Sequence, residues 1–552
     1  MEKQDIAGNK KLVDLTPSPI QTAPTKKKIG FVSAILLVVG SSIGSGIFIK
    51  NHEILNNVHG AIVMAILSWV IAIVGILALA MALPEICSGA GTNNQGLVGW
   101  VRRFNNKFFY NGAKNFMTYL HLPIYYFILP LYMIMTLQES FGFSIQWYYI
   151  IIIALAIASW FIWVSGLSAK AANIQNWVVT CIKFLPLAFA AIAGFVMVGL
   201  GTGGQHADNN FDWTHFQEDY NHHLPLFVDK LPFIGVMSSI PAVFFAFDGF
   251  YSAAGIQTEM KEPKKVSMAL AVGIAIVSAI DVLIAFSFLI GTGTGKLSDL
   301  HVPIQVIQVA NVLVTVGILG VINGVAIYSS RYYEDLVAHN EIPFAWKWKE
   351  YVRKDKPLVG TVICYCITLF WFVIFTIIGL FYINSGHYDK IPGWDNVDYG
   401  PTTNNYVGKL YSFADLIGNW NAVMAFACII FAVIGAIINR KTKQVKVEKS
   451  KTFLFGAIVS AIIVTIGLSF VIIDSVGNFV SIWDYYKYND YPSWYLQYLD
   501  QPGAKVILAD VIGSALQMVV MVIFMCAMFI PAAVKVHLDK KRGVHHHSHK
   551  AY

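Results

Sequence analysis

Val39-Gly40-Ser41-Ser42-Ile43-Gly44-Ser45-Gly46-Ile47-Phe48 puts three glycines and three serines into residues 40–46 of an otherwise apolar run. Glycine costs about 1 kcal/mol relative to alanine inside a helix, and serine competes for backbone hydrogen bonds. The stretch therefore predicts a helix that starts near residue 31 and is interrupted part-way. A second reading stays open, because small residues four apart also form a packing seam for a neighbouring helix.

Outward from this stretch, runs long enough to span a bilayer recur along the whole chain. Of its 552 residues, 56% are hydrophobic and only 13% charged. About 20 apolar residues cover the ~30 Å hydrocarbon core. Runs near 31–50, 60–82, 115–140, 146–165, 174–200, 233–258, 266–290, 305–329, 357–382, 412–438, 453–474 and 505–533 predict twelve transmembrane helices. Backbone groups in lipid must be satisfied within their own segment, which selects helices, and the strand alternation of a barrel is absent. Residues 1–28 are polar and no small-residue cleavage site follows the first apolar run, so this run is expected to be a true span and not a signal peptide. The six cysteines lie mostly in apolar runs, and Cys364 and Cys366 read as helix filler rather than a zinc pair or a disulfide framework.

Charge sets the expected orientation. With the N-terminus cytoplasmic, 31 of the 39 Lys and Arg fall on inner segments and 7 on outer ends and loops, with Lys183 inside a span. That asymmetry predicts both termini inside. It also makes the net charge of +7 a membrane signature, not a nucleic-acid footprint. The outer loops 201–232, 383–411 and 475–504 read as a solvated, aromatic rim, and His545, His546, His547 and His549 as a solvated tail rather than a metal site.

The sixth span reads Phe244-Phe245-Ala246-Phe247-Asp248-Gly249-Phe250-Tyr251. An ionised residue at membrane depth costs roughly 2.5–3.5 kcal/mol on insertion scales, so Asp248 is expected to face a cavity or a partner. The alternative is a structural aspartate bonded to its neighbours. Spans one and six head two groups of five helices of opposite orientation, and corresponding interrupted helices point to a transport site. At such breaks free N–H groups favour a carboxylate and free C=O groups accept from an ammonium, so a zwitterionic amino acid fits both.

At these residues the chain resembles the amino acid–polyamine–organocation (APC) superfamily of transporters. Gly44-Ser45-Gly46-Ile47-Phe48 is similar to its first-helix motif. Phe245-Ala246-Phe247-Asp248-Gly249-Phe250 followed by Glu259-Met260-Lys261-Glu262-Pro263 is similar to its sixth-helix stretch, with Glu262 where asparagine is usual. Leu83-Pro84-Glu85 with Gly89-Ala90-Gly91 resembles the segment after the second helix, and Arg331 to Pro343 the segment after the eighth. The resemblance implies an all-α integral membrane protein with a LeuT-type five-plus-five inverted repeat and alternating access. The expected layout is a tail at 1–30, repeats at 31–200 and 233–438 separated by an extracellular loop at 201–232, helices eleven and twelve at 439–535, and a cytoplasmic tail at 536–552. Carried over by position, Ser45 and Gly46, with Gly44 beside them, hold the substrate carboxylate. The carbonyls of Ser42, Phe245 and Asp248 hold the amino group, with Phe247 and Gly249 lining the break and Phe245 a candidate gate. Relatives with this aspartate include exchangers of neutral amino acids, so the Asp248 side chain does not by itself imply a cationic substrate.

Lys183 lies about nine residues, or ~14 Å, into span five. It reads either as a snorkelling anchor or, as the resemblance implies, as a counterpart of the lysine that replaces sodium in sodium-independent relatives. Asp281 in span seven has no assigned role, and His121 in span three reads as a packed polar residue rather than a relay. Together these readings predict a secondary transporter of amino acids in the cell membrane. It binds its small-molecule substrate within the lipid bilayer, without cofactor or metal, and is sodium-independent, with protons or exchange as the remaining couplings. A polyamine or cationic amino acid carrier is the alternative within transport. A channel or non-transporting polytopic protein is the alternative outside it. A channel filter, a P-loop, an H-E-x-x-H zinc motif and a nucleophile elbow are all missing from the sequence.

Overall fold

The computed structural model describes residues 30–42, 46–58, 60–90, 96–202, 232–251, 261–262, 265–353, 356–381, 406–488 and 503–541. Within them the regular structure is helical. The main elements are α1 (Phe31–Ser42), α2 (Gly46–Asn57), α3 (Ile62–Ala90), α4 (Leu97–Phe104), α5 (Lys107–Phe141), α6 (Trp147–Ser165), α7 (Ala169–Gly199), α8 (Pro232–Ser238), α9 (Ile240–Phe247), α10 (Val266–Thr292), α11 (Ile304–Ala338), α12 (Leu358–Phe381), α13 (Tyr406–Thr442), α14 (Phe453–Tyr488) and α15 (Gly503–Lys541). Among the described residues ten helices are long and apolar enough to cross a membrane, and the short apolar helices Phe31–Gly40 and Gly235–Phe247 accompany them.

Several boundaries differ from the sequence reading. Helix α3 runs through Pro84 to Ala90, so Leu83-Pro84-Glu85 lies inside the helix and not after it. The third helical run begins at Lys107 and changes pitch over a π turn at Met117–His121. Helix α11 continues to Ala338 and takes in most of the segment placed after the eighth span, and α14 extends to Tyr488 into the expected outer loop. Polar and charged residues end an apolar run on a hydropathy reading. They do not end a helix when their side chains find partners, as Glu85 and Glu334 do.

Helices α5 and α13 are buried along most of their length and form the centre of the bundle, while α14 and α15 are peripheral. Around them α10 packs on α1, α3 and α7, and α11 packs on α5, α7 and α12. Small residues set the closest crossing. A Cβ on Gly194 of α7 would lie 1.6 Å from the Ser287 carbonyl oxygen of α10, so the two backbones touch, and the Gly194 N–H donates to Ser287 Oγ at 2.9 Å.

Two ion pairs tie helix ends together. Glu85, only 1% exposed, accepts from Arg440 Nε at 2.6 Å and Nη2 at 2.5 Å, and from the Ser450 N–H at 2.9 Å. Removing Arg440 strands a buried carboxylate, so Arg440→Ala is expected to cost about 3–5 kcal/mol. A loss of thermal midpoint in detergent, partly recovered by adding Glu85→Gln, checks it. The second pair joins Lys114 of α5 to Glu341, just past the end of α11. Lys114 Nζ lies 3.0 Å from Glu341 Oε2 and 2.9 Å from its carbonyl oxygen. Burial alone would push the Glu341 carboxyl up, but the Lys114 ammonium and, more weakly, Arg102 outweigh it and hold it below its ordinary value of 4.5. A depressed folded-state value means that stability is complete above that ordinary value and is lost as pH falls through the folded one. The thermal midpoint should therefore drop between roughly pH 5 and 3 in the wild type, and less steeply in Glu341→Gln.

Candidate functional site

The site begins where α2 meets α9. A Cβ on Gly46 would lie 2.6 Å from the Ala246 Cα and 3.2 Å from its N and Cβ, so only glycine lets these backbones approach this closely. The packing-seam reading of the glycines is thus met at Gly46. The seam holds the start of α2 against the end of α9. Helix α9 stops at Phe247: Asp248 is extended (φ −65°, ψ 148°) and Gly249 takes φ +101°, a region that favours glycine. Upstream, Ser42 closes α1, and its hydroxyl is buried without a protein partner among the described residues. Gly44 and Ser45 lie outside the described residues, as do Glu259, Met260 and Pro263.

Phe245 is buried, with its ring edge-on to Tyr132 of α5 at 5.9 Å and 82°. Its carbonyl accepts the Asp248 N–H at 3.3 Å. Phe247 is buried as well, and Phe244 stacks on Phe426 at 4.5 Å, which seats α9 against α13. The Asp248 carboxylate is fully engaged by neighbours. Tyr125 donates to Oδ2, while Tyr251 and the Gly249 N–H donate to Oδ1 at 2.8 and 2.9 Å. Its side chain thus takes the structural arrangement left open by the sequence.

Above Phe245 sits a cluster that sequence reasoning missed. Lys50, counted there as an outer-end charge, is fully buried. Its ammonium lies 2.6 Å from Glu53, 2.9 Å from Asp415 and 5.1 Å from the Phe245 ring centroid. Tyr132 donates to Asp415 at 2.7 Å and Asn419 to Glu53 at 2.5 Å. Beside Glu53 and Asp415 a cavity of about 90 Å³ is lined by Phe48, His52, Glu139 and Lys296 among others. A lysine at the end of an apolar run has the same sequence signature as an interfacial anchor, so no local signal marked Lys50. Lys183 of α7 is buried and donates to the Gly40 carbonyl of α1, two residues before Ser42. Of the residues expected at the site, the structure brings Gly46 against Ala246, in the stretch that holds Phe245, Phe247, Asp248 and Gly249, while Ser42 ends α1 and Lys183 holds the Gly40 carbonyl of that helix.

The model of the amino acid permease family matches residues 29–499. The chain belongs to this family. The permease is 34% identical to an uncharacterized protein of Mycoplasma pneumoniae, over 94% of its own length and 95% of that protein's. It is 26% identical to the serine/threonine exchanger SteT of Bacillus subtilis, over 58% of its own length and 70% of that protein's. Among solved structures it is similar to MhsT in complex with L-phenylalanine, with 12% identity, a TM-score of 0.46, and coverage of 80% of this chain and 97% of that one. Family and helices together make the permease a multi-pass membrane transporter and not an enzyme.

Proposed function

We propose that this permease moves neutral amino acids across the cell membrane by alternating access, independently of sodium. The observation that carries the reading is the Gly46–Ala246 contact, which brings the start of α2 and the end of α9 to one point. There the N–H groups of Gly44, Ser45 and Gly46 bind the substrate carboxylate. The carbonyls of Ser42, Phe245 and Asp248 bind its ammonium, the division that helix-end dipoles favour. In this reading α1–α2 and α8–α9 are spans one and six, each broken, in a twelve-span chain with both termini cytoplasmic and repeats at 31–200 and 233–438. Phe245 closes over the substrate, and Lys50 with Glu53 and Asp415 locks that closure from the outer side. Lys183 takes the place of a bound cation by holding the Gly40 carbonyl. The similarity to a serine/threonine exchanger supports a neutral substrate, as does the Asp248 carboxylate, whose oxygens already have donors.

One observation favours the alternative of a cationic amino acid or polyamine. Asp281 is buried on α10 with both carboxylate oxygens unpartnered among the described residues. Isotope counterflow in proteoliposomes, with a panel that includes serine, threonine, lysine and a polyamine, separates the two. Exchange of serine or threonine, unchanged when choline replaces sodium, is expected. Collapse of counterflow without sodium would overturn the coupling, and exchange of cations alone would overturn the substrate class.

A further inference from the structure

Behind the helix junction a buried chain of polar groups runs from α9 across α5 to α13. Asp248 Oδ1 is 2.8 Å from the Tyr251 hydroxyl, that hydroxyl is 2.5 Å from His121 Nε2, and His121 Nδ1 is 3.1 Å from Asn421 Oδ1. All four side chains are buried, with Asp248 the most exposed at 6%. The Asn421 amide nitrogen is buried with no partner among the described residues. Among the described residues, the other groups near the chain bring no ionised side chain to His121. Phe116 and Tyr125 pack on it from its own helix, with Tyr125 edge-on at 4.9 Å. Phe524 of α15 reaches Phe116, and the Tyr328 phenol of α11 lies within electrostatic reach of Tyr251.

The hydrogens of this chain can be counted. The contacts Asp248–Tyr251, Tyr251–His121 and His121–Asn421 need one hydrogen each. An ionised carboxylate, a phenol and a neutral imidazole supply one fewer than that, and Asn421 Oδ1 supplies none. With this amide orientation the chain is complete only when it carries one additional proton. Then Asp248 donates to the Tyr251 oxygen, Tyr251 to His121 Nε2, and His121 Nδ1–H to Asn421 Oδ1. When the chain empties, the Asp248 hydrogen passes to the Tyr251 oxygen while the Tyr251 hydrogen passes to His121 Nε2, and the resulting imidazolium gives up its Nδ1 hydrogen. Asn421 then rotates so that its Nδ2–H fills Nδ1. Tyr125 and the Gly249 N–H donate to Asp248 in both states, so the carboxyl keeps its place while the proton count changes by one.

We propose that Asp248, Tyr251, His121 and Asn421 form a one-proton site that empties when an amino acid binds. The inference rests on the substrate ammonium lying at the Phe245 and Asp248 carbonyls, where its charge stabilises an ionised Asp248. Proton and substrate then oppose each other by the same factor in either direction. It also turns His121 from a packed polar residue into a working one.

Calorimetry of the full chain in detergent tests this, using the amino acid with the fastest counterflow in two buffers of different ionisation heat. At the pH of greatest effect the wild type should release close to one proton per amino acid bound. Its Kd should weaken by up to about tenfold per pH unit on the acid side of that point. His121→Leu leaves the loaded form without an acceptor for Tyr251, so release should fall below a tenth of wild type and Kd should become flat with pH. Asn421→Asp puts a negative charge on Nδ1–H, which favours the loaded form, so the weakening should move to higher pH. This second variant decides the matter if His121→Leu does not fold. Binding without proton release between roughly pH 5 and 8, or unchanged release in His121→Leu or an unmoved profile in Asn421→Asp, would overturn the proposal. Absence of any amino acid binding would instead overturn the reading of the site on which it rests.

Discussion

Gly46→Ala is expected to lower amino acid counterflow by at least about tenfold, and Gly46→Val to abolish it. The added Cβ would meet the Ala246 Cα at 2.6 Å, a distance that real Cβ atoms do not tolerate. The nearest atoms are backbone, so no side chain can swing aside, and α2 must move away from α9. Forcing extra volume into a packed contact costs about 1–3 kcal/mol, a roughly 5- to 150-fold effect if it falls on the bound state, and a backbone contact this short belongs in the upper part of that range. The proposed carboxylate donors and the proposed ammonium acceptors Phe245 and Asp248 belong to the two stretches that this contact joins, so separating the stretches spoils both at once. Counterflow and thermal midpoint measured together separate a lost site from lost folding. Adding Ala246→Gly should recover only part of the activity, because it removes the 3.2 Å contact to Cβ and leaves that to Cα. Wild-type exchange in Gly46→Ala would remove the junction from the mechanism.

Lys183→Met should cut counterflow by about 10- to 150-fold while leaving the thermal midpoint nearly unchanged, since a hydrogen bond from a charged group is worth about 1.5–3 kcal/mol. Methionine keeps the unbranched stem, and Gly317 of α11 lies beside the Lys183 Cβ, so packing is retained while the donor to the Gly40 carbonyl is lost. If the ammonium replaces a bound cation, Lys183→Met should respond to added sodium no more than the wild type does, because the described contacts offer no rebuilt ion site. Full activity in Lys183→Met would leave this lysine as an anchor of the helix and nothing more.

The membrane class and the helical fold were legible along the chain. Each depends on local properties: the length of an apolar run, the cost of glycine in a helix, and the exposure of a charge in lipid. The same local signals misplaced the ends of α3 and α11, where Glu85 and Glu334 continue a helix because distant partners satisfy them, and that of α14. What the sequence could not order was pairing. Asp248 is expected from the sequence to line the site, with a structural aspartate as the alternative, and the sequence does not show that Tyr125, Tyr251 and Gly249 share its oxygens.

The sequence by itself determined that this chain is a multi-pass membrane transporter of the amino acid permease family. Only the tertiary structure decided that Gly46 touches Ala246, that Lys50 is a buried cation between Glu53 and Asp415, and that Asp248 is joined to His121 through Tyr251. The physical reason is separation along the chain. Lys50 and Asp415 are 365 residues apart and Lys183 and Gly40 are 143 apart, so no periodicity or motif records either contact. Burying a charge or a polar hydrogen obliges it to find a partner, and the packing of the helices chooses which one.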